Sequence, residues 1–252
     1  MQALIIPDIH QNVSFARGVL MQEDPERFDR IICLGDYFDA RDPACEGIQH
    51  LENAARFVRE LQDAHAERLD LLCGNHDIPY YAMRPACLED GRLPNWTLGQ
   101  AMRESRMENA RIINGIWDES LWRGLKVAVL VDGWLLSHAG VHKKFWPDAG
   151  GAVEEKVRRL SEEWEHAMDT IFEEPEHPLF CAGFARGGLN AVGGPLWQDW
   201  NLEFEDTLEV PQVVGHTRNP SNPRKGRSVC IDFAQTAYAV LQDGALTVKT
   251  LT

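Results

Sequence analysis

Apolar residues recur along the chain at two different spacings. Short β-branched or Leu-rich runs occupy residues 3–7, 30–34, 69–73 and 210–214, and Leu135 and Leu136 form a shorter one. Each reads as a strand, and each stops at a polar cluster. In order, the clusters are Asp8-Ile9-His10, Gly35-Asp36, Gly74-Asn75-His76-Asp77, Ser137-His138-Ala139-Gly140 and Gly215-His216-Thr217. The other spacing is helical: Ile48, Leu51, Ala55, Val58 and Leu61 share one face, as do Val153, Val157, Leu160, Trp164, Met168 and Ile171 in a stretch rich in Glu and Arg. Asp132-Gly133 separates apolar residues 127–131 from 134–136, and Asp243-Gly244 separates 238–241 from 246–251, which predicts two tight hairpins. Strand and helix alternate early, and hairpins dominate later. The expected class is α/β, with sheets that cannot all be parallel.

No repeat and no Gly/Ser or Pro linker divides the 252 residues, so residues 1–252 read as a single domain. Residues 78–110, with Trp96 and Met102, read as an insertion that caps or walls a cleft. The hydrophobic share of 44% and charged share of 25% are ordinary for a folded protein. Net charge is −14, which repels phosphate backbones and anionic membranes and disfavours nucleic acid as a partner. The first residues lack a basic segment followed by a long apolar one, and nowhere do 18 apolar residues run together; a cytoplasmic protein with no membrane partner is expected. Six scattered cysteines form no C-x-x-C pair, which argues against a zinc knuckle or a disulfide framework.

The chemistry lies in the clusters. In α/β sheets, ligands collect beyond the carboxyl ends of strands, where all five clusters fall. Asp8-x-His10 puts a carboxylate and an imidazole on one side of an extended segment. Asp36 could bridge two cations roughly 3.5–4 Å apart, as in two-metal hydrolases. Asn75 adds an amide oxygen, and His138 and His216 add imidazoles. Such a set, without thiolate, suits Mn²⁺, Fe or Zn²⁺ better than Ca²⁺. The remaining histidines, His50, His65, His142, His166 and His177, read as solvated or packed. Asp77 reads either as a partner behind the ligands or as a helix N-cap, the structural role favoured.

D-x-H (Asp8, His10), G-D-x-x-D (Gly35, Asp36, Asp39), G-N-H-D (Gly74 to Asp77), S-H-A-G (Ser137 to Gly140) and G-H-T (Gly215 to Thr217), in this order, resemble the calcineurin-like metallophosphoesterase superfamily. The resemblance implies a four-layer sandwich, two mixed β-sheets flanked by helices, with a metal site at strand C-terminal ends. It implies that Asp8, His10 and Asp36 hold one divalent ion and Asp36, Asn75, His138 and His216 a second, Mn²⁺ being the first choice and Fe or Zn²⁺ the alternatives. It further implies that hydroxide between the ions attacks phosphorus in line, that His76 protonates the leaving group, and that Asp39 orients His76.

Departures from the family pattern narrow the subfamily. Many members carry G-H-x-H; here Arg218 stands at the second histidine's position. With Ser137-His138-Ala139-Gly140, this resembles the phosphoprotein phosphatase and symmetrical dinucleoside tetraphosphatase branch. That branch reads G-D-x-x-D-R-G, whereas this chain has Ala40 and then Arg41 after Asp39, so Arg41, Arg186, Arg218 and Arg84 compete as phosphate-binding groups. Residues 183–200 suggest a loop at the mouth of the site that bears Arg186, with Trp197 and Trp200 lining it or packed beneath. The expected activity is a phosphatase of the protein Ser/Thr type, acting on a phosphoprotein or nucleotide. The alternatives are a dinucleoside polyphosphate hydrolase and a non-catalytic scaffold on the same fold; a nuclease ranks below both.

Overall fold

The computed structural model describes residues 1–84, 105–148, 150–172 and 176–252. The expected cap, residues 78–110, therefore falls largely outside the described residues. Two five-stranded mixed sheets stack face to face. The first has β1 (Gln2–Ile6) at its centre, parallel to β2 (Arg30–Cys33), which is parallel to β3 (Leu69–Leu71). On its other side, β1 pairs antiparallel with one arm of the hairpin formed by Ala237–Gln242 and Ala245–Thr250. In the second sheet, β4 (Ala128–Val131) and β5 (Trp134–Ser137) form the other hairpin. Then come β6 (Gln212–Val214), parallel to β5, the short β7 (Arg224–Lys225), and β8 (Ser228–Cys230), parallel to β6. The hairpin strands that close the first sheet are β9 (Ala237–Gln242) and β10 (Ala245–Thr250).

The apolar character of these runs follows from burial on both faces. Ala3 and Ile5, Ile32 and Leu34 point between the sheets and meet Leu136, Val213, Val229 and Leu241. Leu4 and Ile6, Ile31 and Cys33 alternate with them and face the helical side. There α1 (Val13–Glu23) and α2 (Ile48–His65) cover the first sheet. Leu51, Ala55, Val58 and Leu61 of α2 are buried, as their spacing predicts. Helix α1 has less amphipathic contrast and escaped the periodicity; its start is marked by Asn12, whose side chain accepts the Phe15 N–H at 3.1 Å. Short helices α3 (Ile78–Ala82), α4 (Met107–Asn114) and α5 (Glu119–Arg123) follow, and α6 (Val153–Asp169) buries Leu160, Trp164 and Met168 beside the second sheet.

Both Asp-Gly turns form as expected. Asp132 and Gly133 have φ 49° and 80°, and Asp243 and Gly244 have φ 49° and 79°, the left-handed pair that joins strands with two residues. Among the described residues, no helix is long and apolar enough to cross a membrane.

Candidate active site

The carboxyl ends of β1, β2, β3, β5 and β6 meet at one edge of the sandwich, and their loops are held in costly conformations. His10, Asp36, Asp39 and His216 have φ of 45°, 52°, 57° and 63°, in the left-handed region that side chains other than glycine seldom occupy. Such strain persists only where neighbours fix it. One fixing group is Asp77. Its carboxylate accepts the backbone N–H of Asp36 (2.8 Å), Tyr37 (2.9 Å) and Gly74 (2.8 Å), tying the β2 loop to the β3 loop. It stands at the N-cap position of α3 but its side chain makes no capping bond there; its carboxylate serves instead as a tie between the loops. Gly35, at φ 99°, lies where a Cβ would come 2.5 Å from the Gly74 nitrogen, so the two loops approach only because it is glycine.

Two groups of ligand atoms result, each within 4.8 Å of one another: Asp8, His10 and Asp36, and then Asp36, His138 and His216. Asp36 belongs to both. His10 Nε2 lies 3.8 Å from Asp8 Oδ2 and 3.4 Å from Asp36 Oδ2. His138 Nε2 lies 3.1 Å from Asn75 Oδ1, 3.2 Å from His216 Nδ1 and 3.6 Å from Asp36 Oδ1. The tautomers are set from behind: His10 Nδ1 donates to the Phe38 carbonyl and His138 Nδ1 to the Leu34 carbonyl, each at 2.9 Å. Their Nε2 lone pairs therefore point into a space ringed by other acceptors, the arrangement a cation completes. His216 Nε2 is buried and has no hydrogen-bond partner among the described residues.

Electrostatics agree with that reading. Burial raises Asp8 well above the usual carboxylate range, and Asp232 adds to it; burial together with Asp8 and Asp77 raises Asp36. Burial also lowers His10, with His76 and Arg41 contributing, takes His138 to about 3, and lowers His216, with Arg186 and His138 contributing. Neutral imidazoles beside crowded carboxylates are ready to ligate, and a divalent ion would relieve the repulsion among the acids. The residues present thus fit two cations.

Beside these clusters, His76 Nδ1 donates to Asp39 Oδ2 at 2.9 Å, and Asp39 Oδ1 accepts the Tyr80 hydroxyl. His76 Nε2 accepts an N–H from Arg41 at 2.5 Å. A cavity of about 590 Å³ opens over the site, and Arg41, Arg186 and Arg218 all line it. Arg84 does not: it lies over the Tyr81 and Phe172 rings and pairs with Glu119.

The calcineurin-like phosphoesterase family matches this chain over residues 1–220. The chain belongs to that family. A search of the curated proteins found no match. Among solved structures, the cold-active protein-tyrosine phosphatase of a psychrophilic Shewanella species is similar, with TM-score 0.58 and 14% identity over 100% of this chain and 80% of that one. A metallophosphoesterase from Sphaerobacter thermophilus (TM-score 0.42, 16% identity, 100% and 88% covered) and a protein serine/threonine phosphatase from Saccharomyces cerevisiae (0.49, 13%, 100% and 79%) also match. At 14% identity, the likeness to the Shewanella phosphatase concerns the fold.

This calcineurin-like phosphoesterase brings together every residue that the sequence nominated as a metal ligand: Asp8, His10, Asp36, Asn75, His138 and His216. His76 and Asp39 adjoin them. Of the two tryptophans, Trp197 lines the cavity edge-on to His216, with ring centres 5.9 Å apart, while Trp200 is buried and stacks on Phe204. Sequence reasoning missed Asp232, Asp199 and Thr217, which also line the cavity. Asp232 had a signal: it follows β8 as Asp8 follows β1. Burial raises its pKa to about 6, opposed by Arg218, Arg41 and Arg186. Tyr80, behind Asp39, had none, because only folding places it there.

Proposed function

We propose that the chain is a phosphomonoesterase of the protein Ser/Thr phosphatase type, working with two divalent cations, Mn²⁺ foremost. The observation that carries this reading is the shared position of Asp36 between two acceptor clusters on the floor of an arginine-lined cavity. Asp8, His10 and Asp36 would hold one ion, and Asp36, Asn75, His138 and His216 the other. The ions, when bound, supply Lewis-acid polarisation of the phosphate oxygens and make hydroxide available at neutral pH.

The chain's own groups do the rest. Arg186 and Arg218 face the entering phosphate, whose two charges suit planar guanidinium forks. Arg41 donates to His76 Nε2, the nitrogen that must carry the proton for the leaving oxygen. As phosphate enters, Arg41 turns to its oxygens and the freed Nε2 takes a proton from solvent. His76, held by Asp39 through Nδ1, passes that proton to the serine or threonine oxygen as a water-derived oxygen bonds to phosphorus on the opposite face and the bond from the serine or threonine oxygen to phosphorus breaks. Tyr80 fixes the second Asp39 oxygen, so the carboxylate turns little during the transfer. Exposed Phe184, Leu189 and Leu202 flank the cavity residues Arg186 and Asn201 and offer apolar surface that a polypeptide substrate would cover.

Metal-stripped protein reloaded with Mn²⁺ should release phosphate from a phosphoserine peptide and from p-nitrophenyl phosphate, and Asp36→Asn should abolish both. Failure of the loaded protein on every monoester would refute the reading. Cleavage of diadenosine tetraphosphate alone would move it to dinucleoside polyphosphates.

A further inference from the structure

Arg186 reaches the cavity from an irregular segment, and irregular segments hold a side chain in place only if something fixes their backbone. Arg186 itself is anchored at two points: its Nε pairs with Asp199 Oδ2 at 2.9 Å, and its Nη2 donates to Thr217 Oγ1 at 2.8 Å. Thr217 Oγ1 also accepts the Trp200 N–H at 3.0 Å. The anchors are as good as the backbone that carries them, and three points of the 183–200 segment, residues 185, 193 and 199, converge on one half-buried carboxylate outside the cavity lining. Glu203 Oε1 accepts the N–H of Ala185, next to Arg186, at 3.1 Å. Its Oε2 accepts the N–H of Gly193 at 3.0 Å and of Asp199 at 3.2 Å.

The surroundings are shaped to this contact. A Cβ on Gly183 would collide with Glu203 Oε1 and with the Gly193 nitrogen. The turn of residues 183–188 closes through the Gly188 N–H to the Gly183 carbonyl at 2.9 Å, and the Phe184 N–H reaches the Asn190 carbonyl at 2.8 Å. Glu203 is itself set by its backbone N–H on the Asp199 carbonyl at 2.9 Å. Backbone bonds tie the segment pairwise, Gly194 N–H to the Cys181 carbonyl at 2.9 Å and Gln198 N–H to the Gly194 carbonyl at 3.1 Å, and the Glu203 carboxylate joins residues 185, 193 and 199 at one point through bonds strengthened by its charge.

We propose that Glu203 is a positioning residue for phosphate binding, its carboxylate fixing the Arg186 turn and the Asp199 turn so that the guanidinium is held facing the cavity. It touches neither substrate nor cation and acts through Arg186. The inference rests on the phosphoesterase reading for its ligand and not for its geometry. Glutamine cannot replace the carboxylate, because in either orientation its NH₂ faces at least one of the three N–H donors.

The test uses Mn²⁺-loaded full-length protein and inorganic phosphate as the probe, titrated calorimetrically. Glu203→Gln should weaken phosphate binding about tenfold, the scale of a misplaced charge-assisted contact, with the Mn²⁺ content unchanged. The KM for p-nitrophenyl phosphate should rise by a similar factor while kcat stays within about twofold. In an Arg186→Ala background the substitution should cost little more, since both act through one guanidinium. Wild-type phosphate affinity in Glu203→Gln, or losses that simply add to those of Arg186→Ala, would overturn the proposal. If Glu203→Gln does not fold, Glu203→Asp, which keeps the charge but shortens the reach, is read the same way. A wild-type protein that binds phosphate yet hydrolyses no monoester would sink the enzymatic reading and leave this one standing.

Discussion

Replacing Asp36 by asparagine should move stability and activity in opposite directions. Asp36 is 1% exposed and has Asp8 and Asp77 as like-charged neighbours, which together with burial lift its pKa. In the metal-free protein its charge is therefore a burden. Asparagine keeps an oxygen for the His76 N–H, now held at 2.8 Å by Oδ1. Its amide NH₂ would take the place of Oδ2, 3.4 Å from His10 Nε2, a nitrogen that the Phe38 carbonyl leaves as an acceptor. One repulsive contact thus becomes a hydrogen bond in an unchanged volume. Removing a buried, uncompensated charge should stabilise the metal-free fold by about 1–3 kcal/mol, or about 2–10 °C in Tm for a chain of this size.

With metal the sign reverses. A cation at a hundred times its Kd adds about 2.7 kcal/mol to the wild type, about 5–10 °C, and the variant should lose most of that because Asp36 serves both clusters. The pH dependence has a definite direction. A carboxyl whose folded pKa is raised contributes its full stability below the unfolded pKa and loses it as pH rises through the folded value. The advantage of the metal-free variant should accordingly vanish in acid and open toward neutral pH. Scanning fluorimetry of chelator-treated and Mn²⁺-loaded samples at several pH values reads all of this. A lower metal-free Tm for Asp36→Asn at neutral pH, or an undiminished shift with Mn²⁺, would refute the reasoning.

His76→Asn should lower kcat for a phosphoserine peptide about 10²–10⁴-fold, while p-nitrophenyl phosphate, whose phenolate departs without a proton, should lose far less; equal losses would place His76 elsewhere in the chemistry. Asp77→Ala strands three N–H groups in the joint between the β2 and β3 loops and should cost about 3–6 kcal/mol in urea unfolding, with Asp77→Asn milder. Gly35→Ala sets a Cβ against the Gly74 nitrogen at a φ of 99° and should cost about 2–4 kcal/mol by the same measurement, together with a loss of Mn²⁺ binding because Asp36 and Asn75 are displaced.

The residues that sequence reasoning found share a property: each follows a short, mostly apolar strand. Asp8, Asp36, Asn75, His138 and His216 are legible because a short run rich in apolar residues announces a buried strand, and the polar residue after it has one place to go. Asp232 obeys the same rule after β8 and was overlooked because its neighbours, Phe233 and Ala234, carry no second chemical group. Both hairpins were readable from Asp-Gly pairs, and α2 and α6 from their stripes. Helix α1 was not, since it buries Phe15, Ala16 and Val19 on a short face with little polar contrast opposite.

Other features have no linear signal. Whether Trp197 or Trp200 lines the cavity depends on how the segment after Gly194 turns, and the structure puts them on different sides of that segment's packing. Arg84 was a reasonable candidate by charge, yet Tyr81, Phe172 and Glu119 hold it away from the site. The role of Asp77 as a loop tie depends on residues 36, 37 and 74 meeting around it.

By itself the sequence determined the strand runs, their order and the ligand types at their ends, because side-chain period and turn chemistry are local and survive in one dimension. Only the tertiary structure decided that Asp36 stands between two clusters, that Tyr80 backs Asp39 and that Glu203 gathers three points of one segment. Those relations are contacts of about 3 Å between residues that no sequence period brings together, across loops for Asp36 and Tyr80 and across an irregular segment for Glu203, and they exist only once the chain has folded.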